Sequence, residues 1–246
     1  MKPAAFDYCR PDTLDEALEL LHELGPDVSV LAGGMSLGPM LNTRLARPAA
    51  IVDIKRIPGL DEVSVGGGVR TGATLTQARA FEHETLMREV PLLALALPWV
   101  GHFQTRNRGT LCGSVAHADP SAETPLVLTT LDGEVELRST RRGTRRMRAR
   151  EFFVDVMTTA REQDELLTTL LWPARRPGTR CAFAYELRSI YRDWAVFHPA
   201  EAHGERSDTA LRIDDGLHSA RYDGEVAVAL RDLGERVSRP WSACWP

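Results

Sequence analysis

Two short segments of the chain combine glycine with small or hydroxylated residues, a composition that suits the binding of an anionic group. The first segment is Ala32-Gly33-Gly34-Met35-Ser36-Leu37, which directly follows an apolar stretch. Glycine lets the backbone approach a ligand closely and adopt positive φ, and consecutive amides in such a turn bind anions such as pyrophosphate. The Ser36 hydroxyl can add one donor. The same pattern is also typical of an ordinary turn after a strand.

The second segment is Thr110-Leu111-Cys112-Gly113-Ser114, with Asp119 and Glu123 shortly after it. A turn of small residues can again offer amides and hydroxyls to a phosphate. The two carboxylates can accept hydrogen bonds from the hydroxyls of a ribose. Asp119 has a second interpretation, as the N-cap of a helix that begins at Pro120. Both segments therefore suit a ligand that contains phosphate.

Several other kinds of site are disfavoured by motifs that the sequence lacks. Neither segment is the dinucleotide fingerprint G-x-G-x-x-G, and no Gly-Lys-Ser/Thr of a P-loop occurs. The four cysteines are too widely separated for an iron–sulfur or zinc ligand set. His102 and His117 flank the second segment without a metal-binding spacing. We therefore expect no metal site, and we assign no catalytic acid or base.

Composition and charge place the chain among ordinary globular proteins. It has 246 residues, of which 43% are hydrophobic, and 30 basic side chains against 34 acidic ones give a net charge of −4. A domain that binds nucleic acid is usually basic, so that class is disfavoured. The N-terminus has no apolar signal region, and the longest apolar stretch, residues 91–100, is too short to cross a membrane. We expect a cytoplasmic protein without a membrane span.

Hydrophobic periodicity predicts the elements that position the two segments. An amphipathic helix begins after Asp12 or Thr13 and ends at Gly25. The first glycine segment is expected between two strands, residues 28–32 and 50–54. The remaining predicted elements are a hairpin around residues 66–68, helices at 75–84, 89–100 and 120–131, a hairpin formed by 135–138 and 145–150, and a strand at 164–172.

The predicted hairpin near residue 140 is unusually basic. Seven arginines lie between Arg138 and Arg150. Runs of charge usually face solvent, so a solvated hairpin is the first interpretation. The second is a docking edge for an acidic partner subunit. A nucleic-acid surface is disfavoured because no aromatic residue interleaves the arginines.

Taken together and in order, the two glycine segments resemble the FAD motifs of a known family. Residues 31–54, LAGGMSLGPMLNTRLARPAAIVDI, resemble the first FAD motif of the flavoprotein subunits of molybdenum hydroxylases, and residues 106–123, RNRGTLCGSVAHADPSAE, resemble the second. The family includes the medium chain of carbon monoxide dehydrogenase and the FAD subunits of xanthine and nicotine dehydrogenases. The resemblance covers about the first 175 residues and fades after about Phe197.

The resemblance implies an α+β fold with a two-lobed FAD-binding domain of the molybdenum hydroxylase flavoprotein (PCMH-like) type over residues 1–175, with lobes at about 1–57 and 58–175. A short, divergent C-terminal α+β domain is expected at residues 179–246. Glu123 would hold the adenosine ribose, and Asp119 would face the cofactor. The residues implied to line the FAD pyrophosphate are Ala32, Gly33, Gly34, Met35, Ser36 and Leu37 on one side and Thr110, Gly113 and Ser114 on the other.

The resemblance also implies a function and partners. The chain would be the FAD-binding electron-transfer subunit of a heterotrimeric oxidoreductase, together with a large molybdenum-cofactor subunit and a small [2Fe–2S] subunit. Electrons from the clusters would pass via FAD to an external acceptor such as NAD⁺, a quinone or oxygen, while the substrate is oxidised in the large subunit. Two alternatives stay open, a stand-alone flavoprotein oxidoreductase and an assembly subunit that has lost its flavin.

Three features depart from the family pattern. Met35 stands where Gln, His or Thr is usual, which is tolerable if only the backbone amide is used. Cys112 stands where glycine is frequent, so its side chain either crowds the pyrophosphate or points away into the core. The C-terminal region is either a divergent short domain or the product of a truncated or shifted reading frame.

Overall fold

The structure is a computed structural model, which describes residues 2–175 and three further strands, Arg180–Glu186, Arg192–His198 and Thr209–Arg212. Helices and strands are mixed along the chain, which confirms the α+β class. The predicted helical part of the C-terminal domain lies outside the described residues. We call residues 2–57 the first lobe and residues 58–175 the second lobe; this boundary, and that of the C-terminal domain, stay predictions.

The first lobe is built on a small parallel sheet. Its elements are β1 (Asp7–Cys9), α1 (Leu14–Leu24), β2 (Val28–Leu31), α2 (Leu37–Asn42) and β3 (Ala50–Asp53). The strands are parallel in the order β1-β3-β2, with the fully buried β3 in the centre and β2 at an edge. The first glycine segment therefore connects the carboxyl end of the edge strand β2 to helix α2.

Helix α1 forms where its capping residues and apolar spacing predict. The Thr13 hydroxyl accepts a hydrogen bond from the Glu16 amide at 3.2 Å, and the Glu16 carboxylate accepts one from the Thr13 amide at 3.3 Å. This reciprocal pair satisfies amides that have no partner within the helix. Ala17 and Leu21, one turn apart, then bury the apolar face of α1 in the core. The prediction of this helix and of its cap is confirmed.

The second lobe combines a five-stranded antiparallel sheet with seven short helices among its described residues. Its strands are ordered β4-β5-β10-β6-β7, and a separate two-stranded ribbon joins β8 to β9. The elements in chain order are β4 (Val63–Val65), β5 (Gly68–Gly72), α3 (Gln77–Glu82), α4 (Glu84–Glu89), α5 (Pro91–Ala96), α6 (Phe103–Arg108), α7 (Leu111–His117), α8 (Glu123–Thr130), β6 (Glu134–Ser139), β7 (Gly143–Arg148), α9 (Ala149–Phe152), β8 (Phe153–Asp155), β9 (Thr158–Thr159) and β10 (Leu166–Pro173).

The core of the second lobe lies between this sheet and its central helices. Helix α7 packs against β5 and β10, and α8 packs against α5 and α7. Because α8 is covered on several sides, nearly all of its residues are buried and it has no polar face. The buried Trp172 of β10 donates from its indole nitrogen to the Thr71 hydroxyl of β5 at 3.1 Å. No helix in the described part of the chain has the length and apolar character needed to cross a bilayer.

Two predicted helices differ from the observed ones because prolines and a side-chain turn set their limits. The helix expected over residues 89–100 begins at Pro91, ends as α5 at Ala96 and continues as a 3-10 turn, Leu97–Trp99. The helix expected from Pro120 begins three residues later, at Glu123, with Ala122 as its N-cap. The interpretation of Asp119 as an N-cap is therefore wrong.

Beyond residue 175, the structure describes three antiparallel strands, β11 (Arg180–Glu186), β12 (Arg192–His198) and β13 (Thr209–Arg212), in that order. Strand β11 lies against helix α5, and strand β12 lies against helix α8. This sheet therefore packs on helices of the second lobe.

Candidate functional site

A cleft of about 400 Å³ lies between the two lobes. The first lobe lines it with residues of β2, the glycine segment and α2, and the second lobe with residues around α7 and at the start of β10. All eleven residues that the resemblance assigns to FAD lie on its walls: Ala32, Gly33, Gly34, Met35, Ser36, Leu37, Thr110, Gly113, Ser114, Asp119 and Glu123. The fold thus brings both motifs to one place, while their contacts with a cofactor stay predictions.

The first glycine segment presents backbone amides that the protein does not use. Gly34 has φ +73°, a conformation that favours glycine, and its carbonyl accepts from the Gly38 amide at 2.9 Å. No amide of residues 33–37 donates to an acceptor in the described part of the chain. Five consecutive unpaired donors beside a cleft match the acceptor oxygens of a phosphate or pyrophosphate.

Gly33 has a different role from Gly34. A Cβ atom at Gly33 would lie 2.8 Å from the Gly109 Cα, and closer still to the carbonyl oxygen of Arg108. Real Cβ atoms do not approach backbone atoms so closely, so a side chain at this position would force the two segments apart. Gly33 therefore lets the first lobe pack its backbone against the residues that precede α7.

The second glycine segment is the start of helix α7, so the prediction that it is a turn is wrong. The Thr110 hydroxyl accepts from the Gly113 amide at 2.9 Å, and the Ser114 amide donates to the Thr110 carbonyl at 3.1 Å. The Leu111 amide donates to the Leu75 carbonyl at 3.1 Å. Three of the five amides of this segment are thus paired, while those of Thr110 and Cys112 donate to no acceptor in the described part of the chain. This side of the cleft therefore offers a ligand fewer amides than the first segment, together with the Ser114 hydroxyl and the small profile of Gly113.

Cys112 points away from the cleft and into the core. It is 2% exposed, and its Sγ lies 3.6 Å from the Gly72 carbonyl oxygen and 3.8 Å from that of Thr71, both on β5. Burial raises the pKa of the Cys112 thiol far above its ordinary value. Of the two orientations considered for this residue, the structure has the one that leaves the pyrophosphate region open.

The acidic residues after α7 lie at the other end of the cleft. The Asp119 carboxylate accepts from the Ser121 amide at 2.9 Å and from the Ser121 hydroxyl at 2.7 Å, which closes a local turn. Glu123 follows in the first turn of α8 and lines the cleft. Both carboxylates are thus separated from Thr110 by helix α7, whose seven residues rise by about 10 Å.

The polar residues in the cleft wall that were not singled out from the sequence include Gln77, Arg161 and Glu165. The guanidinium of Arg161 donates to the backbone carbonyls of Glu162 at 3.1 Å and of Glu165 at 2.7 Å, and desolvation lowers the pKa of Arg161. The buried Glu165 carboxylate is bound by Arg145 at 2.6 and 2.8 Å. No motif marks these residues, because the chain brings them to the cleft through long-range packing.

The arginines of the β6–β7 hairpin are mostly paired with carboxylates of this chain. Six of the seven arginines between Arg138 and Arg150 form ion pairs. Arg138 and Arg146 bind Glu136, and Arg145 binds Glu165. Arg142 binds Asp164, while Arg148 and Arg150, the latter in α9, bind Asp132. Arg70 of β5 adds a third guanidinium to Glu136 at 3.1 Å. These six arginines and Arg70 share five carboxylates, Glu162 included, so pairing reduces the positive charge of the segment without cancelling it, which favours the solvated-hairpin interpretation.

The family model described as the FAD binding domain in molybdopterin dehydrogenase matches residues 4–175. The chain belongs to this family. It is 34% identical over 240 residues to the caffeine dehydrogenase subunit beta of Pseudomonas sp. (strain CBB1), covering 97% of this chain and 77% of that protein. It is 35% identical over 259 residues to the carbon monoxide dehydrogenase medium chain of Hydrogenophaga pseudoflava, covering 98% and 89%.

Solved structures agree with this family and with its fold. Carbon monoxide dehydrogenase from Hydrogenophaga pseudoflava superposes with a TM-score of 0.81 at 30% identity, over 98% of this chain and 89% of that one. The fold is therefore that of the FAD-binding subunits of molybdenum hydroxylases. The cofactor of this family member is FAD, and the chain is an oxidoreductase subunit of that type. The unpaired amides of residues 33–37 fit the pyrophosphate of this cofactor.

Proposed function

We propose that this chain is the electron-transfer subunit of a heterotrimeric molybdenum hydroxylase, in which electrons from [2Fe–2S] clusters of a partner subunit reach an external acceptor by way of FAD. The observation that carries the proposal is the row of five unpaired amides, residues 33–37, at a cleft that also contains the second motif. FAD supplies the redox chemistry, and the protein supplies binding, orientation and electrostatics.

The proposed division of work among the cleft residues follows their hydrogen bonds. The amides of Gly33, Gly34, Met35, Ser36 and Leu37 bind the pyrophosphate oxygens, so a methionine side chain at position 35 is compatible with binding. Ala32 supports the start of this loop. The Ser114 hydroxyl approaches the pyrophosphate from the other lobe, whereas the buried Thr110 acts chiefly by capping helix α7, where its hydroxyl accepts from the Gly113 amide.

The adenosine end is proposed to lie where the two acidic residues line the cleft. Glu123 accepts hydrogen bonds from the ribose hydroxyls, and Asp119 faces the cofactor from its turn with Ser121. Gly113 has no side chain that would narrow the cleft between Ser114 and the first lobe. This arrangement puts the pyrophosphate between an amide loop and a small-residue helix start, with the adenosine directed along α7.

The proposed partners are a large molybdenum-cofactor subunit and a small [2Fe–2S] subunit. Support comes from the relatives, which are named as subunits or medium chains of dehydrogenases. Within the chain, we propose an FAD-binding domain at residues 1–175 and a smaller domain at residues 179–246. The substrate would be oxidised in the large subunit. The external acceptor and a cytoplasmic location stay predictions.

The first test is cofactor retention by the full-length chain. The purified protein is incubated with FAD and desalted, and its visible absorption spectrum is recorded. We expect equimolar flavin to stay with the protein, and we expect Gly33→Ala to lose it while Gly38→Ala retains it, because a Cβ at Gly38 would meet nothing within 4 Å. Wild-type protein that retains no flavin, even when the partner subunits are present, would support the assembly-subunit alternative.

The second test separates a subunit from a stand-alone flavoprotein. The chain is co-expressed with iron–sulfur and molybdenum subunits of the same family, and the tagged chain is purified. We expect the three chains to copurify and the flavin to be reduced only when the complex is supplied with the large subunit's substrate. Flavin reduction by that substrate in the isolated chain would contradict the proposal and favour the stand-alone enzyme.

A further inference from the structure

Gln77 is a buried polar residue of the cleft whose side chain has an unsatisfied acceptor. It is the first residue of α3 and is 4% exposed, and its carboxamide oxygen has no hydrogen-bond partner in the described part of the chain. Its backbone amide donates to the Gly109 carbonyl at 2.8 Å. Gln77 therefore lies directly behind the segment of the second lobe against which Gly33 packs.

The surroundings of the carboxamide explain why the protein leaves this oxygen unpaired. A Cβ atom at Gly109 would lie 2.9 Å from Oε1, so the oxygen packs against the Gly109 Cα, which offers no donor. Thr76, the residue before Gln77, uses its hydroxyl to cap α3 by accepting from the Arg79 amide at 3.3 Å. A buried acceptor without a partner is unfavourable unless a ligand or a water molecule supplies the donor.

The position of Gln77 in the cleft indicates which part of a ligand it meets. Gln77 lies beside Gly109, at the start of α7, whereas Glu123 follows the end of that helix. The two residues are thus at opposite ends of a helix that rises by about 10 Å. If the adenosine ribose lies at Glu123 and the pyrophosphate at residues 33–37, the ribityl–flavin half of FAD extends towards Gln77. That half carries hydroxyl and ring N–H donors.

We propose that Gln77 is a further cofactor-binding residue, whose carboxamide oxygen accepts a hydrogen bond from a donor in the ribityl–flavin half of FAD. The inference rests on the proposed function, because it takes the direction of FAD from Glu123 and the amide loop. It adds a contact that neither glycine motif contains. It also gives the cleft a means of distinguishing the flavin half of its ligand from the adenosine half.

The test compares two ligands and two variants in the full-length chain. Gln77→Met removes the acceptor with little change in length, and Gln104→Met, an exposed glutamine of α6, is the matched control. Affinity is measured by titration calorimetry for FAD and for ADP, which lacks the ribityl–flavin half. We expect Gln77→Met to weaken FAD binding about tenfold and to leave ADP binding unchanged, since one net hydrogen bond is lost. Gln104→Met should change neither.

Thermal unfolding of the flavin-free proteins separates a binding role from a structural one. Removal of an unsatisfied buried oxygen should leave the midpoint of Gln77→Met unchanged or raise it. A lowered midpoint, or an equal loss of affinity for FAD and ADP, would show that Gln77 only supports Gly109 and would overturn the inference. Unchanged FAD affinity would overturn it too, with the proposed function intact. Wild-type protein that binds neither ligand would instead refute the proposed function. Gln77→Leu, with a different shape, repeats the measurement if the methionine variant does not fold.

Discussion

Two regions of this chain suit an anionic partner by composition, and they differ in how their donors are used. The segment from Arg138 to Arg150, which comprises most of the β6–β7 hairpin and the start of α9, carries seven arginines, yet six of them bind carboxylates of the same chain. The first glycine loop carries no charge, yet its five amides donate to no acceptor in the described residues. We therefore predict that the loop is the better anion site, although the hairpin has far more positive charge.

The difference teaches that anion binding follows unpaired donors rather than the count of cations. A guanidinium that already holds a carboxylate has part of its charge offset and some of its N–H donors occupied, and drawing it away to another anion would weaken the pairing of a buried carboxylate such as that of Glu136. The Glu136 carboxylate is 2% exposed and contacts three guanidinium groups, so the pairing is integral to the sheet. The amides of residues 33–37 can bind an anion without disturbing an existing hydrogen bond in the described part of the chain.

The largest expected effect comes from a substitution that forces the glycine loop away from the second lobe. Gly33→Ala places a methyl group against the backbone of Arg108 and Gly109. We expect it to lower the free energy of unfolding by about 2–3 kcal/mol, as overpacking does. We expect FAD affinity to fall by about 100-fold, because the amide loop is displaced. Urea unfolding and FAD titration measure the two quantities.

Gly38→Ala is the control for this change, since a methyl group there meets no atom within 4 Å and lies in helix α2. It should preserve FAD binding and raise stability by about 0.5–1 kcal/mol. Equal losses of FAD affinity in both variants would mean that the approach of the two backbones at Gly33 is unimportant.

The second prediction concerns a variant that breaks the ion pairs of Glu136 in the hairpin. Glu136→Gln removes the charge that Arg70, Arg138 and Arg146 share, and we expect a loss of about 1–2 kcal/mol in stability at neutral pH with no loss of FAD affinity. Burial opposes ionisation of Glu136, but the hydrogen bonds from Arg70 and Arg146 outweigh it and hold the pKa of this carboxyl below its ordinary value of 4.5.

The sign of the pH dependence follows from that lowered pKa. A carboxyl of this kind stabilises the folded state above its unfolded pKa, and the stabilisation is lost as the pH falls through its folded pKa. The stability gap between wild type and Glu136→Gln should therefore be largest near neutral pH and shrink in acid, as followed by urea unfolding across that range. A gap that stays constant would show that the ion pairs contribute nothing.

The third prediction concerns the helix start that resembles a glycine loop. Thr110→Val removes the hydroxyl that caps α7 and should cost about 1 kcal/mol of stability. Thr110→Ser retains the hydroxyl and serves as the control. Because Thr110 is only 3% exposed and its hydroxyl caps α7 by accepting from Gly113, FAD affinity corrected for folding should change little. A large, specific loss of FAD affinity without a loss of stability would reverse the roles we assign to the two glycine segments.

The smallest effect is expected at Ser114. Ser114→Ala removes one hydroxyl from the second lobe's wall of the cleft, and we expect FAD binding to weaken roughly threefold, as for a single neutral hydrogen bond. Fluorescence titration with FAD resolves such a change. An effect as large as that of Gly33→Ala would mean that the second segment, rather than the amide loop, provides most of the phosphate binding.

Much of the fold follows from local signals in the sequence. The capping residues Thr13 and Glu16 specify the start of α1, and the strands on both sides of the first glycine loop lie within one residue of their predicted limits. The cap of α1 is a contact close in sequence, and each strand is marked by its own apolar run, although the pairing of β3 with β1 and β2 is long-range. The eleven residues assigned from the resemblance to the FAD motifs all line one cleft. Hydrophobic periodicity alone does not identify them as one group.

The missed features depend on partners that are distant in sequence. The segment from Thr110 to Ser114 has the composition of a turn, but the burial of Leu111 and Cys112 against β5 and β10 makes it a helix. Gln77 has no neighbouring motif, and its importance comes from the Gly109 backbone that packs on it. Likewise, the pairing of the hairpin arginines depends on Glu165 and Asp164, some twenty residues further along the chain.

The most direct test of the central claim is hydrogen–deuterium exchange of the full-length chain with and without FAD. The amides of residues 33–37 are unpaired without the cofactor, so peptides that cover them should exchange rapidly and become protected when FAD binds. Peptides from the arginine hairpin, residues 138–150, should not change. Protection of the hairpin with no protection of residues 33–37 would contradict the account.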